Sequence, residues 1–219
     1  AIASAQIARP ARNPLAALGQ RELRRVLASN VAFERFAALA GPDAPTLSVG
    51  AVNVTAGEFV TFVDDEVTPD AVLASAAVPD LFEPVMIDGE AHWDGLFSEN
   101  PPIRDLMRGP TETVPEELWI VQVNPQQDEE VPRSLRDVYD RRNELAGNIS
   151  LNQQLHGVER VNEWLAAGFL PEDRFVHTDV SRIQLDGRLY YSSKVDRSPG
   201  FVADLIEEGE AAAEAFLAD

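Results

Sequence analysis

The chain has 219 residues, 45% hydrophobic and 25% charged, which is enough apolar content for a buried core and too much for an unstructured tail. Its 37 Asp and Glu against 18 Lys and Arg give a formal charge of −19, which excludes a general phosphate-binding surface, and so nucleic acid as a partner, and makes an anionic membrane repulsive. There is no cysteine, so disulfide scaffolds, thiol nucleophiles and Cys-ligated zinc are excluded as well.

No apolar run approaches the roughly 20 residues of a membrane span, and no signal-peptide core opens the chain, so a cytoplasmic protein is expected. Lys194 is the sole lysine; every other basic residue is arginine. An acid excess with almost no lysine suits concentrated salt, where carboxylates hold a hydrated cation layer and their repulsion is screened. A GC-rich coding bias would favour arginine equally.

The first 36 residues differ in charge from the rest: Arg9, Arg12, Arg21, Arg24, Arg25 and Arg35 face only Glu22 and Glu34. A basic amphipathic lead could touch a lipid or granule surface, although a solvated helix face is the better explanation. Asn13-Pro14 reads as a cap and first-turn proline, and the spacing of Leu15, Leu18, Leu23, Val26, Leu27, Phe33 and Phe36 predicts helix over much of 14–40. Thr46–Val54 is an apolar, β-prone run of the type buried on both faces, and Ala56-Gly57 turns it into a second strand, Glu58–Val63. Thr68-Pro69-Asp70 caps a short helix through Ala77 that Pro79 ends. Pro84–Ile87 and Ala91–Trp93 form a hairpin across Asp88-Gly89, a strong type I′ signal.

Leu118–Val123 is another buried-type strand, closed by Asn124-Pro125. Ser134 to about Ala167 reads as helix, with Gly147 or Gly157 as points of interruption. Arg174–Val180 predicts a strand, and Arg182–Tyr190 a second near Asp186-Gly187. Ser198-Pro199 opens a final helix whose apolar side holds Phe201, Leu205, Ile206, Ala212, Ala213, Phe216 and Leu217. Alternating strands and helices make the class α/β.

Most catalytic chemistries find no support in the sequence. His92, His156 and His177 lack metal-ligand spacing, and Asp64-Asp65-Glu66 and Asp128-Glu129-Glu130 read as solvated acidic turns. No glycine-rich dinucleotide or phosphate loop occurs, so no metal and no organic cofactor is implied. A serine nucleophile needs a strand-to-helix elbow of the form G-x-S-x-G. The nearest string, Thr46-Leu47-Ser48-Val49-Gly50, runs on as strand, and Ser75 sits among alanines in a helix.

One stretch carries more information: Ala74-Ser75-Ala76-Ala77-Val78-Pro79, Phe82-Glu83-Pro84-Val85, Ile87-Asp88-Gly89, Trp93-Asp94-Gly95 and Asn100-Pro101-Pro102. In this order the motifs resemble the C-terminal half of patatin-like phospholipases and esterases. Thr55-Ala56-Gly57-Glu58 and the strand LWIVQVNP also fit. Arg141-Arg142-Asn143-Glu144-Leu145, Ser150-Leu151-Asn152 and Ser192-Ser193-Lys194 look like a prokaryotic subgroup with an extra helical region. Leu96 stands where the family has a second small residue.

The resemblance implies a three-layer α/β/α sandwich, incomplete here, with a core half over 13–125 and a mostly helical extension over 126–219. It also implies a Ser-Asp dyad in which Asp94 is the base, with Gly95 and Asn100 supporting its loop and no metal involved. A glycine after the aspartate is expected to let the backbone turn tightly. Trp93 and His92 flank the base, Trp93 chiefly as packing. The family's glycine-rich oxyanion loop and serine elbow have no counterpart here, so the chain is expected to be the C-terminal part of a longer protein and inert alone. The implied substrates are lipid or other carboxylic esters, with polyhydroxyalkanoate polyester as an alternative and peripheral contact with a membrane or granule surface. A catalytically inactive interaction module on the same scaffold is the rival reading.

Overall fold

The computed structural model describes residues 14–39, 44–79, 81–108, 111–124, 126–127, 131–185, 189, 193 and 196–218. Arg9, Arg12, Asn13, the run Asp128–Glu130, the pair Asp186-Gly187, Ser192 and Lys194 lie outside them. The chain divides into two compact units, Ala1–Pro102 and Ile103–Asp219. Both combine helices with sheet, the mixed α/β class expected.

In the first unit the helix α1 (Pro14–Asn30) is followed by a 3-10 turn and the short α2 (Phe36–Leu39), with Phe33 and Phe36 packed edge to face. The strands β1 (Ser48–Asn53), β2 (Glu58–Val63), β3 (Val85–Ile87) and β4 (Glu90–Asp94) form an antiparallel sheet in the order β2-β1-β4-β3. The β3–β4 turn is the predicted one: Asp88 and Gly89 both have positive φ, 53° and 85°, as a type I′ turn requires. At the β1–β2 turn Asn53 is buried, and its Oδ1 accepts from the Thr55 and Ala56 N–H groups and the Thr55 hydroxyl. Its amide donates to Glu90 at 2.7 Å, tying one hairpin to the other.

The helix α3 (Pro69–Ser75) begins with Thr68 accepting from the Ala71 N–H, and its Ala71, Leu73 and Ala74 are buried. Helix α1 is fastened nearby by Gln20, which donates to the Glu83 carbonyl, and by an Arg24–Asp70 ion pair. β1 is not the doubly buried strand its composition predicts. Only Ala51 and Asn53, on one face, are buried, while Ser48, Gly50 and Val52 on the other are partly exposed.

The second unit is built on a parallel pair, β5 (Glu117–Gln122) and β6 (Asp179–Gln184), joined through the long helix α5 (Leu135–Ala166). The short α4 (Ile103–Leu106) precedes β5, and α6 (Pro199–Ala218) closes the chain. Ile103, Leu118, Ile120, Leu151, Leu155 and Val158 form the core.

Three expectations change here. α5 runs unbroken through Gly147 and Gly157, because a reciprocal Ser134–Asp137 cap starts it and packing of Leu151, Leu155 and Val158 outweighs about 1 kcal/mol per glycine. β5 is buried on one face only, with Trp119 and Val121 57% and 71% exposed, since α5 covers one side and Phe216 of α6 meets just the Trp119 ring. The strand predicted from Arg174 begins only at Asp179, as β6, and the second one predicted near Asp186-Gly187 falls largely outside the described residues. Before β6 the Arg174 and Phe175 N–H groups donate to the Pro171 carbonyl, Asn162 exchanges two hydrogen bonds with the Thr178 backbone, and the Thr178 hydroxyl donates to the Pro115 carbonyl.

Candidate active site

Asp94 ends β4. Its place in the sheet is set by its register opposite Ala51 and by its own N–H, which donates to the Ala77 carbonyl at 3.1 Å. Opposed residues share a face, so Asp94 and His92 lie on the side of Ala51 and Asn53, the buried side, while Trp93 lies with Val52 on the other. The Asp94 Oδ1 accepts from the Leu96 N–H at 2.9 Å, capping a 3-10 turn over Gly95–Phe97. Among the described residues no cation pairs with this carboxylate. Burial therefore dominates its acidity and pushes its pKa from 3.8 up to about 6, against the lowering effect of the Leu96 N–H. Leu96, where the family has a small residue, is buried, and its N–H orients the carboxylate.

Gly95 opens the 3-10 turn that follows Asp94, but positive φ is not what the turn asks of it. Its φ is not positive; the need is for space. A Cβ there would stand 3.3 Å from the Phe59 ring and 3.5 Å from the Gly50 backbone. Gly50 is tighter still, since a Cβ would lie 2.6 Å from Phe59 Cζ. Phe59 and Gly50 were not among the predicted site residues. The available signal was an isolated glycine inside a strand pattern, which marks close approach. Asn100 is half-buried and precedes a cis peptide to Pro101.

His92 is buried, with Nδ1 3.1 Å from the Glu90 carbonyl and its ring edge-on to Phe62. A carbonyl only accepts, so Nδ1 carries a proton. The Trp93 indole N–H and the Ser48 hydroxyl are buried without hydrogen-bond partners among the described residues. Ser48 opens a strand and Ser75 ends α3, so neither stands at a strand-to-helix elbow. Among the described residues no three His, Asp or Glu side chains gather to hold a metal, and no helix is long and apolar enough to cross a membrane.

The model of the patatin-like phospholipase family matches residues 6–107. This segment belongs to that family. The patatin-like segment thus contains the whole described sheet of the first unit and Asp94 with it, and the family is one of lipid acyl hydrolases. No curated protein matches the chain.

The two blocks beyond the patatin-like segment that resemble the prokaryotic subgroup have structural partners in the second unit. Arg141 donates to Glu144 at 3.1 Å and to the Gln126 carbonyl at 3.2 Å, and Asn152 accepts from Arg182. Beside them Gln122, at the end of β5, donates to the buried Asn148 and accepts from Gln184 at the end of β6. α5 therefore sets Leu151, Leu155 and Val158 into the apolar core of the strands and Asn148 and Asn152 against Gln122 and Arg182.

Proposed function

We propose that Asp94 is the general base of a serine ester hydrolase whose nucleophile lies outside these 219 residues. The observation that carries this reading is a carboxylate placed by the sheet, held through one oxygen and, among the described residues, without a cation. Such a group is a stronger base than an ordinary aspartate and is still ionised near neutrality. As a serine oxygen attacks the ester carbonyl, Asp94 takes the hydroxyl proton; when the tetrahedral intermediate collapses, that proton goes to the departing alkoxide. A water molecule then attacks the acyl-enzyme, again losing its proton to Asp94, and as the second tetrahedral intermediate collapses Asp94 returns that proton to the serine oxygen and the carboxylic acid departs. The substrates are lipid or other carboxylic esters, and no metal or organic cofactor takes part.

The test is to read the gene for an in-frame G-x-S-x-G upstream of Ala1 and assay the complete product on 4-nitrophenyl esters. Asp94→Asn is expected to lower kcat by roughly 10²–10⁴, and kcat/KM of the wild type to rise with pH through about 6 as Asp94 ionises. Unchanged turnover in the variant, or a reading frame without the serine, refutes the assignment.

A further inference from the structure

Asp94 is held on two sides by the backbone: its N–H donates to the Ala77 carbonyl at 3.1 Å and its Oδ1 accepts from the Leu96 N–H at 2.9 Å. The second contact depends on where the chain runs through Gly95, because the Leu96 N–H belongs to the peptide that joins these two residues. A glycine next to the carboxylate leaves that peptide free to swing unless something outside it takes the freedom away. Phe59 meets it from across the sheet. This residue stands opposite Val52, and so on the face away from Asp94. Its Cε2 is 3.0 Å from the point a Cβ would occupy on Gly50 and 3.3 Å from the same point on Gly95, and the Gly95 point is itself 3.5 Å from the Gly50 carbonyl. One ring edge therefore bears on both glycines, and Pro102 Cδ borders the Gly50 point at 3.8 Å.

We infer that Phe59 is a positioning residue for Asp94: its ring fixes the Gly95–Leu96 peptide and thereby aims the Leu96 N–H at the carboxylate. The inference rests on the hydrolase reading for its kinetic consequence and on packing alone for its structural one. A hydrogen bond weakens steeply as its angle closes, and a displacement of about 1 Å at a reacting group can cost roughly 10² in rate. A rigid ring locked by packing is suited to hold that geometry, whereas two glycines without side chains cannot supply it between themselves. The elements packed against β4 bring few other ionisable groups to the carboxylate. β1, β3 and the Gly95–Phe97 turn have none, α3 has Asp70 at the end away from Ala77, and β4 has Glu90 and His92 on the Asp94 face.

The test follows two readouts in the complete gene product, isotope-labelled at leucine for NMR, with the Leu96 resonance assigned by its loss in Leu96→Met. The Leu96 amide shift should follow the ionisation of Asp94, with a midpoint at about 6, and should stop titrating in Asp94→Asn, which separates it from His92. In Phe59→Leu the amplitude of that titration should fall to roughly half or less and kcat on 4-nitrophenyl esters by about tenfold, with KM within about twofold of wild type. Adding Gly50→Ala, whose methyl takes up part of the vacated space, should recover part of both. Phe33→Leu, which loosens the Phe33–Phe36 ring pair, should lower stability and move neither readout. Where Phe59→Leu does not fold, Phe59→Met is judged by the same two readouts. Either readout left at its wild-type value overturns the inference. A wild type that hydrolyses no ester refutes the hydrolase reading instead, and the Leu96 titration then decides the inference alone.

Discussion

Two carboxylates, one in each unit, are taken out of water in opposite ways. Glu144 is 6% exposed and has the Arg141 guanidinium at 3.1 Å, with Arg141 itself anchored on the Gln126 carbonyl. Asp94 is held by a single backbone N–H and has no cation among the described residues. A buried charge with a partner is a fixed structural element; one without a partner keeps an affinity for protons. The contrast separates a carboxylate that locks a fold from one that can accept a proton.

The strongest way to break this contrast is to remove the guanidinium. Arg141→Met leaves Glu144 buried without its partner, and the second unit should lose about 3–5 kcal/mol in urea denaturation. Replacing both, as Arg141→Met with Glu144→Leu, should restore most of that loss, because the cost lies in the orphaned charge. A single variant that unfolds at the wild-type midpoint would mean that Glu144 is not neutralised by Arg141, and the two carboxylates would no longer differ.

Asp94 should behave in the reverse sense. Below its ordinary value of 3.8 it is protonated whether the chain is folded or unfolded. As pH rises from 3.8 to about 6 the unfolded chain has given up the proton that the folded one retains, so the first unit loses roughly 3 kcal/mol across that window and levels off above it. Asp94→Asn keeps an oxygen to accept from the Leu96 N–H and carries no charge. Its stability relative to wild type should be unchanged at pH 3 and higher by about that amount at pH 7.5, measured as paired denaturation curves. A variant less stable than wild type at pH 7.5 would show that the carboxylate is compensated after all. Activity lost while stability rises is the expected signature of a functional group.

How far the site was legible follows from the range of the forces that build it. The two hairpins, their turn types, the Thr68 cap and the position of Asp94 at a strand end could be read because each depends on residues a few positions apart. The faces of β1 and β5, the continuity of α5 and the position of β6 could not. Each of these is decided by what packs against the element: α5 over one side of β5, or Asn162 holding Thr178 before β6 begins. The environment of Asp94 was half visible. The Asp94-Gly95 pair is a property of the string, whereas the lack of an ion pair among the described residues and the Phe59 ring over Gly50 and Gly95 needed coordinates.

That ring supplies the finest test of the comparison, since it packs against the turn that follows Asp94, whereas Glu144 is held by charge. In Gly50→Ala the new Cβ would lie 2.6 Å from Phe59 Cζ, closer than real contacts allow, so the ring must move and about 1–3 kcal/mol should be lost. In Gly95→Ala the contact is 3.3 Å, a few tenths of an ångström too close, and the loss should be below about 1 kcal/mol. Phe59→Leu removes the obstacle, and in a double-mutant cycle it should cancel most of the Gly50→Ala penalty. Additive losses would place the strain elsewhere. If Gly95→Ala nonetheless moved the titration of Asp94 away from about 6, the packing of this glycine would be what sets the proton affinity of its neighbour.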